Sequence, residues 1–134
     1  MKEAFFPLRV SEIMTREVVS IDESAGVTEA AKLMSIKNIG SVVVKKDDKV
    51  IGILTERDCL DKIVAKGLDP SAMHVRDIMS APAITCTSDM PITAAVKIMR
   101  EQKIRHLPIV DEGKLVGIVS GRDLTSLGWR VIVY

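Results

Sequence analysis

Residues Val10 to Leu60 can be laid over Val75 to Thr125 at a constant offset of 65 positions without a gap, and 13 of the 51 aligned pairs are identical. Ile13-Met14 falls on Ile78-Met79, Ala30-Ala31-Lys32-Leu33-Met34 on Ala95-Val96-Lys97-Ile98-Met99, and Gly52-Ile53-Leu54-Thr55-Glu56-Arg57-Asp58 on Gly117-Ile118-Val119-Ser120-Gly121-Arg122-Asp123. A chain written twice is built from two similar units, and a site made by one copy should recur in the other. With 134 residues in all, each half is about 60 residues, too small to bury much surface alone, so the two halves are expected to share one core. The repeats are placed at residues 8–66 and 75–127, joined by a linker at 67–74 and followed by a tail at 128–134.

Each copy presents the same order of signals. A short apolar segment, Val10 to Met14 or Val75 to Met79, leads into a β-branched stretch, Val18-Val19-Ser20-Ile21 or Ala83-Ile84-Thr85-Cys86. A helix follows, its apolar face marked by Val27, Ala30, Ala31 and Met34 in the first copy and by Ile92, Ala95, Val96 and Met99 in the second. Pro91 suits the first turn of the second helix, and Ser88 and Asp89 stand where capping oxygens are useful. Ser41 to Lys45 and Lys49 to Leu54, like His106 to Val110 and Lys114 to Val119, read as strands joined by short polar loops into hairpins. A second helix comes next, from about Glu56 to Lys66 in copy one, with Gly67 as a left-handed cap. The expected order is β-α-β-β-α, twice, and Gly128 to Tyr134 could add an edge strand.

Each hairpin runs into its helix through hydroxyl-x-x-carboxylate, Thr55 to Asp58 and Ser120 to Asp123. Two readings of that spacing stand side by side. Thr55 and Ser120 are good N-caps, and the aspartates three positions on can complete a capping box. Equally, the first turn of a helix offers free N–H groups and a positive dipole end that suit a phosphate, while a carboxylate one turn in can accept from both hydroxyls of a ribose.

The duplicated β-α-β-β-α order, the two Gly-Ile-hydrophobic-hydroxyl-x-Arg-Asp turns, and Ile104-Arg105-His106-Leu107-Pro108-Ile109-Val110-Asp111 resemble a tandem pair of cystathionine-β-synthase (CBS) domains, a Bateman module, over Val10 to Leu127. The resemblance implies an α/β fold in which two pseudo-symmetric β-α-β-β-α repeats pack as one module and bind adenosine-containing ligands (AMP, ADP or ATP, with Mg2+ accompanying ATP, or alternatively S-adenosylmethionine) in clefts between the repeats. It assigns Thr55 and Ser120 to phosphate and Asp58 and Asp123 to the ribose diol. Backbone at Val18, Val19 and Ser20, and at Ala83, Ile84 and Thr85, would edge the adenine, with the side chains of Val19 and Ile84 sandwiching the ring. Pro108 and His106 belong to the same candidate set. His106 either contacts phosphate or is satisfied by backbone near its strand end, and Arg57 and Arg122 either pair with phosphate or form a solvated helix face. Copy one has Gly40-Ser41 where copy two has Arg105-His106, so the two sites need not be equivalent. His74, in the linker, is expected to be exposed.

Other functions find less support in the residues. Net charge is +1 with signs alternating along the chain, and aromatic content is 3%; there is no basic stripe and little to stack on bases, so nucleic acid is not the expected partner. No nucleophile sits beside a base and no metal triad is spaced for ligation, so an enzyme is not expected. Cys59 and Cys86 lack CxxC spacing and read as reduced core thiols. Hydrophobic residues make up 47% of the chain, yet no apolar run approaches the roughly 18 residues of a membrane span, which points to a buried subunit interface; the family resemblance implies that it joins a homodimer. Met1 to Leu8 lacks the pattern of a secretory signal, and the expected location is the cytoplasm. The expected role is regulatory, with no tightly bound cofactor and with a separate, unidentified protein as the regulated partner; an interaction module with vestigial clefts is the alternative.

Overall fold

The computed structural model describes residues 8–128; the amino-terminal stretch up to Pro7 and the tail strand expected beyond Gly128 lie outside them. The chain divides into two compact units, residues 19–84 and residues 1–18 with 85–134.

In the 19–84 unit, β1 (Ser20–Asp22), α1 (Val27–Lys37), β2 (Ser41–Lys46), β3 (Lys49–Thr55) and α2 (Glu56–Cys59) follow the expected order. α2 runs straight into a wide π turn, Leu60–Val64, before Gly67 takes its left-handed conformation (φ 66°). β1 lies parallel to β2, with Ser20 opposite Val43, and β2 is antiparallel to β3, with Ser41 opposite Thr55 and Lys46 opposite Lys49. Asp47 and Asp48 make the hairpin turn with φ of 49° and 65°, the two-residue geometry whose twist matches the flanking strands. Aspartate tolerates that region better than most residues because its short carboxylate can bond locally.

The core of this unit gathers Ile21, Val27, Ala30, Met34, Val42, Val44, Leu54 and Ile63 with Val75 and Ile78 from the next short helix, α3 (Val75–Ile78). The exposed Ala31 corrects the apolar face expected for α1: the buried stripe is Val27, Ala30 and Met34, and the half-buried Leu33 borders it instead.

The second unit holds α4 (Ile92–Gln102), β4 (His106–Asp111), β5 (Lys114–Ser120) and α5 (Gly121–Ser126). Ile92, Ala95, Val96 and Met99 are all buried, as their spacing predicts. Two expectations change here. The strand expected around Ala83 to Cys86 is reduced to a single parallel bridge between Cys86 and Ile109. In the first copy the N–H of Val43 donates to Val19 O at 3.1 Å; Pro108 stands at the matching position and has no N–H to give. The capping expectation also shifts: Pro91 is itself the N-cap of α4, Ser88 donates its N–H to Asp111 Oδ1 (2.9 Å), and Asp89 accepts from the Thr87 hydroxyl (2.6 Å).

The leading segments change places. Val75 N–H donates to Ala25 O (2.8 Å), Val27 N–H to Met73 O (3.0 Å) and Arg76 N–H to Glu23 O (3.0 Å); at the equivalent positions Val10 donates to Met90 O (2.8 Å), Ile92 to Leu8 O (3.0 Å) and Ser11 to Ser88 O (2.9 Å). The same three bonds therefore form in both units, each time using the leading segment of the other repeat. Ser80 and Ile53 exchange a pair of backbone hydrogen bonds at 2.9 and 3.0 Å, and Thr15 and Ile118 exchange the matching pair at 2.9 Å each. The sequence repeats and the packed units accordingly have different boundaries.

Candidate functional site

Both hairpins deliver their hydroxyl residue to a helix start in extended conformation, Thr55 at φ −115°, ψ 162° and Ser120 at φ −111°, ψ 163°. Thr55 N–H donates to Asp58 Oδ2 (2.9 Å) and Asp58 N–H returns to Thr55 Oγ1 (3.1 Å). Ser120 N–H donates to Asp123 Oδ2 (2.8 Å) and Asp123 N–H returns to Ser120 Oγ (3.2 Å). These are reciprocal capping boxes, which satisfy two of the orphan donors at each helix start. The capping reading therefore holds for both turns.

What surrounds the two carboxylates differs. Asp58 is only 7% exposed. Its Oδ2 also accepts from the Thr55 hydroxyl (3.1 Å), while Oδ1 accepts from the Ser80 hydroxyl (3.0 Å) and the Lys62 ammonium (3.1 Å). Lys62 Nζ donates in addition to Ile78 O (2.9 Å), at the end of α3. Asp123 is half-buried, and among the described residues its Oδ1 has no hydrogen-bond partner. The position matching Lys62 is the exposed Leu127, and the position matching Ser80 is Thr15.

The candidate residues fall into two sets. Val19, Ser20, Thr55, Arg57, Asp58, Ala83 and Ile84 belong to the 19–84 unit; Val18, Thr85, His106, Pro108, Ser120, Arg122 and Asp123 belong to the other. His106 stands directly across the β4–β5 ladder from Ser120, as Ser41 stands across from Thr55, and the buried Pro108 lies opposite Ile118. The Ala83 N–H is already given to Ile51 O (3.1 Å). Arg57 is largely exposed and pairs one turn along with Asp61 (Nε to Oδ2, 3.0 Å), so in this structure it forms the solvated helix face. Arg122 is also exposed. His74 is exposed and its N–H donates to Asp77 Oδ2 (2.8 Å).

Sequence reasoning missed Lys62 and Ser80. The signal for Lys62 was present: Asp58 and Lys62 are four apart on a helix, the spacing of an ion pair, and Leu127 breaks it in copy two. Ser80 could not be found this way, since its approach depends on the Ile53–Ser80 backbone pair across a long stretch of chain.

Neither cysteine suits nucleophilic chemistry. Burial, then the charge of Asp111, pushes the Cys86 thiol up to about 11; burial, then Asp58 and Glu56, raises Cys59. Both stay protonated near neutral pH, and the thiol is the inert form. Among the described residues no three His, Cys, Asp or Glu side chains come together as a metal ion would need, and no helix is long and apolar enough to cross a membrane.

Known proteins fit this geometry. The family model for the CBS domain matches residues 10–65 and 75–129. The chain is 45% identical over 120 residues to an uncharacterized protein of Methanopyrus kandleri, covering 88% of this chain and 61% of that one. It is 36% identical over 119 residues to the inosine-5'-monophosphate dehydrogenase of Thermoplasma acidophilum, covering 88% of this chain but 23% of that enzyme. The chain thus spans less than two thirds of the length of either relative. Among solved structures, the hexameric CBS-CP12 protein from bloom-forming cyanobacteria superposes with a TM-score of 0.86 at 32% identity, over 92% of this chain and 73% of that one. The two matched segments carry the two capping-box turns described above, and the chain belongs to the CBS domain family as a tandem pair of repeats.

Proposed function

We propose that the chain is a sensor of adenosine nucleotides that signals to a separate protein, with AMP, ADP or ATP (the last with Mg2+) as ligand and a strand-to-helix turn of the hydroxyl-x-x-aspartate kind as the candidate contact. The observation that carries this reading is the recurrence of one strand-to-helix turn in both copies, each presenting a hydroxyl and a carboxylate three residues apart at a helix start. A hydroxyl and free N–H groups suit phosphate, and a carboxylate oxygen suits a ribose diol. The candidate adenine-edging residues, Val18 to Ser20 and Ala83 to Thr85, precede these turns by the same interval in both repeats, 35 positions from Ser20 to Thr55 and from Thr85 to Ser120. A nucleotide at one hundred times its dissociation constant would stabilise the folded chain by about 2.7 kcal/mol.

Titration calorimetry with AMP, ADP, ATP and S-adenosylmethionine tests the reading. AMP or one of its phosphorylated forms is expected to bind, and the 2'-deoxy form of the best ligand to bind at least about tenfold more weakly, because a hydrogen bond to a charged carboxylate contributes about 1.5–3 kcal/mol. If none of the four binds, the nucleotide assignment is wrong. Preference for S-adenosylmethionine would retain the diol contact and remove the phosphate role of the turn's hydroxyl.

A second property has its own support. Leu60 and Val64, one helical turn apart, are 49% and 68% exposed, a paired apolar surface that a second copy of the chain would cover. Light scattering is expected to give twice the 14.7 kDa chain mass, and Val64→Glu to return it to the monomer. A wild-type monomer at working concentration removes the dimer.

A further inference from the structure

Asp58 is the only buried carboxylate among the described residues. A carboxylate offers about four lone-pair positions, and here four donors take them: the Thr55 N–H and hydroxyl on Oδ2, the Ser80 hydroxyl and the Lys62 ammonium on Oδ1. No acceptor capacity is left for a ligand. The partners come from three places in the chain. Thr55 is the end of β3, Lys62 sits in the π turn beyond α2, and Ser80 follows α3, whose last residue Ile78 also gives its carbonyl to Lys62 at 2.9 Å. Asp58 and Lys62 together hold residues 78–80 against the start of α2. A buried charge with this many partners is costly to disturb, because removing one leaves the rest unsatisfied in a low-dielectric setting.

Copy two has none of this beyond the capping box. Leu127 replaces the lysine and cannot donate. Thr15 repeats the backbone pairing of Ser80, but Asp123 accepts no bond from it among the described residues.

We propose that Lys62, with Ser80, makes Asp58 a structural clip and closes the first turn to ligands, so that on the nucleotide-binding reading above the Ser120–Asp123 turn is the chain's one diol-binding turn. Lys62 acts through Asp58 and touches no ligand; it is a positioning residue that decides which of two near-identical turns is open.

The test measures thermal melting and calorimetric binding of AMP and ATP on the full chain and on Asp58→Asn, Lys62→Met and Asp123→Asn. Asparagine at 123 can still accept the capping bond from Ser120, whereas asparagine at 58 would turn an NH2 group toward Lys62 or Ser80. Wild type is expected to take one nucleotide per chain. Asp123→Asn should lose at least about tenfold in affinity and melt within about 2 °C of wild type. Asp58→Asn should melt about 5 °C lower or more, Lys62→Met a few degrees lower, and both should keep the wild-type affinity within about twofold. Lys62 is partly exposed, so Lys62→Met remains informative even if Asp58→Asn does not fold. Two equivalent nucleotides per chain overturn the proposal, as does either clip variant weakening binding as much as Asp123→Asn. If wild type binds no adenosine ligand, the nucleotide reading falls by itself; the clip is then judged on melting, and equal melting temperatures for Asp58→Asn and Asp123→Asn overturn it.

Discussion

A fragment of residues 19–84 will show a cooperative thermal transition, and a fragment of residues 1–66, which follows the sequence repeat, will not. The reason is where the leading segments go. Val75 and Ile78, fully buried in the core of the 19–84 unit, lie beyond residue 66, and each apolar side chain of that size contributes about 1.5–3 kcal/mol by leaving water. The same truncation removes Met73 O and the N–H groups of Val75, Arg76 and Ser80, which partner Val27, Ala25, Glu23 and Ile53, at about 0.5–1.5 kcal/mol each. Stability runs at about 0.05–0.15 kcal/mol per residue, so losses of this size remove most or all of what holds a unit this small together. The segment 1–18, present in the 1–66 fragment, is used elsewhere in the fold: Val10 bonds to Met90 O and Ser11 to Ser88 O, both absent from that fragment, and neither bonds to Ala25 or Glu23. Circular dichroism melts of the two fragments decide the matter. A cooperative transition for 1–66 with none for 19–84 would show that the repeat, and not the exchanged unit, is the folding unit.

This exchange marks where sequence reading stops. The hairpins were legible because β-branched runs, two-residue polar turns and helix caps are local: Asp47-Asp48 and the capping boxes depend on residues within three positions of one another. The 65-residue repeat also carried over the element order. What it could not carry is partner choice. Segments 10–14 and 75–79 share Val, Ile and Met at matching positions, so their residues do not announce which core receives Val10 and which receives Val75; the three-dimensional path of the chain decides it. The inequality of the turns was half visible for the same reason. Arg105-His106 against Gly40-Ser41 stood out in the alignment, and the structure places His106 directly across from Ser120. Lys62 does not stand out because a lysine on a surface helix is ordinarily a solvated charge, and Ser80 because a lone serine carries no signal until its backbone pairs with Ile53. The reduced second-copy strand, by contrast, had a visible cause in Pro108, which removes a ladder donor that Val43 supplies.

Substituting Gly52 by alanine is expected to destabilise the chain by about 3 kcal/mol, and the neighbouring methionine will not rescue it. A Cβ at this position would lie 2.9 Å from Met79 Sδ and 2.9 Å from the carbonyl oxygen of Ser80. The thioether is flexible and can turn away. The carbonyl cannot, because it accepts from Ile53 N–H at 3.0 Å while Ser80 N–H donates back to Ile53 O at 2.9 Å. Making room for one methyl group therefore means moving the Ser80 backbone, which also withdraws the Ser80 hydroxyl from Asp58. The equivalent Gly117 provides the control. A Cβ there would meet Met14 Sδ at 2.5 Å and Met14 Cγ at 2.8 Å, with the Thr15 carbonyl at 3.1 Å, so the conflict is chiefly with a side chain. Gly117→Ala should be destabilising in the wild-type background and largely recovered when Met14 is also cut back to alanine, once the cost of Met14→Ala alone is subtracted; Gly52→Ala with Met79→Ala should show no such recovery. Urea denaturation of the two double-mutant cycles reads the difference directly. Recovery at both glycines would place the whole conflict in the methionines. In that case Ser80 could shift freely, and it would be too loosely held to keep Asp58 saturated, which ties the packing of this glycine to the inequality of the two turns.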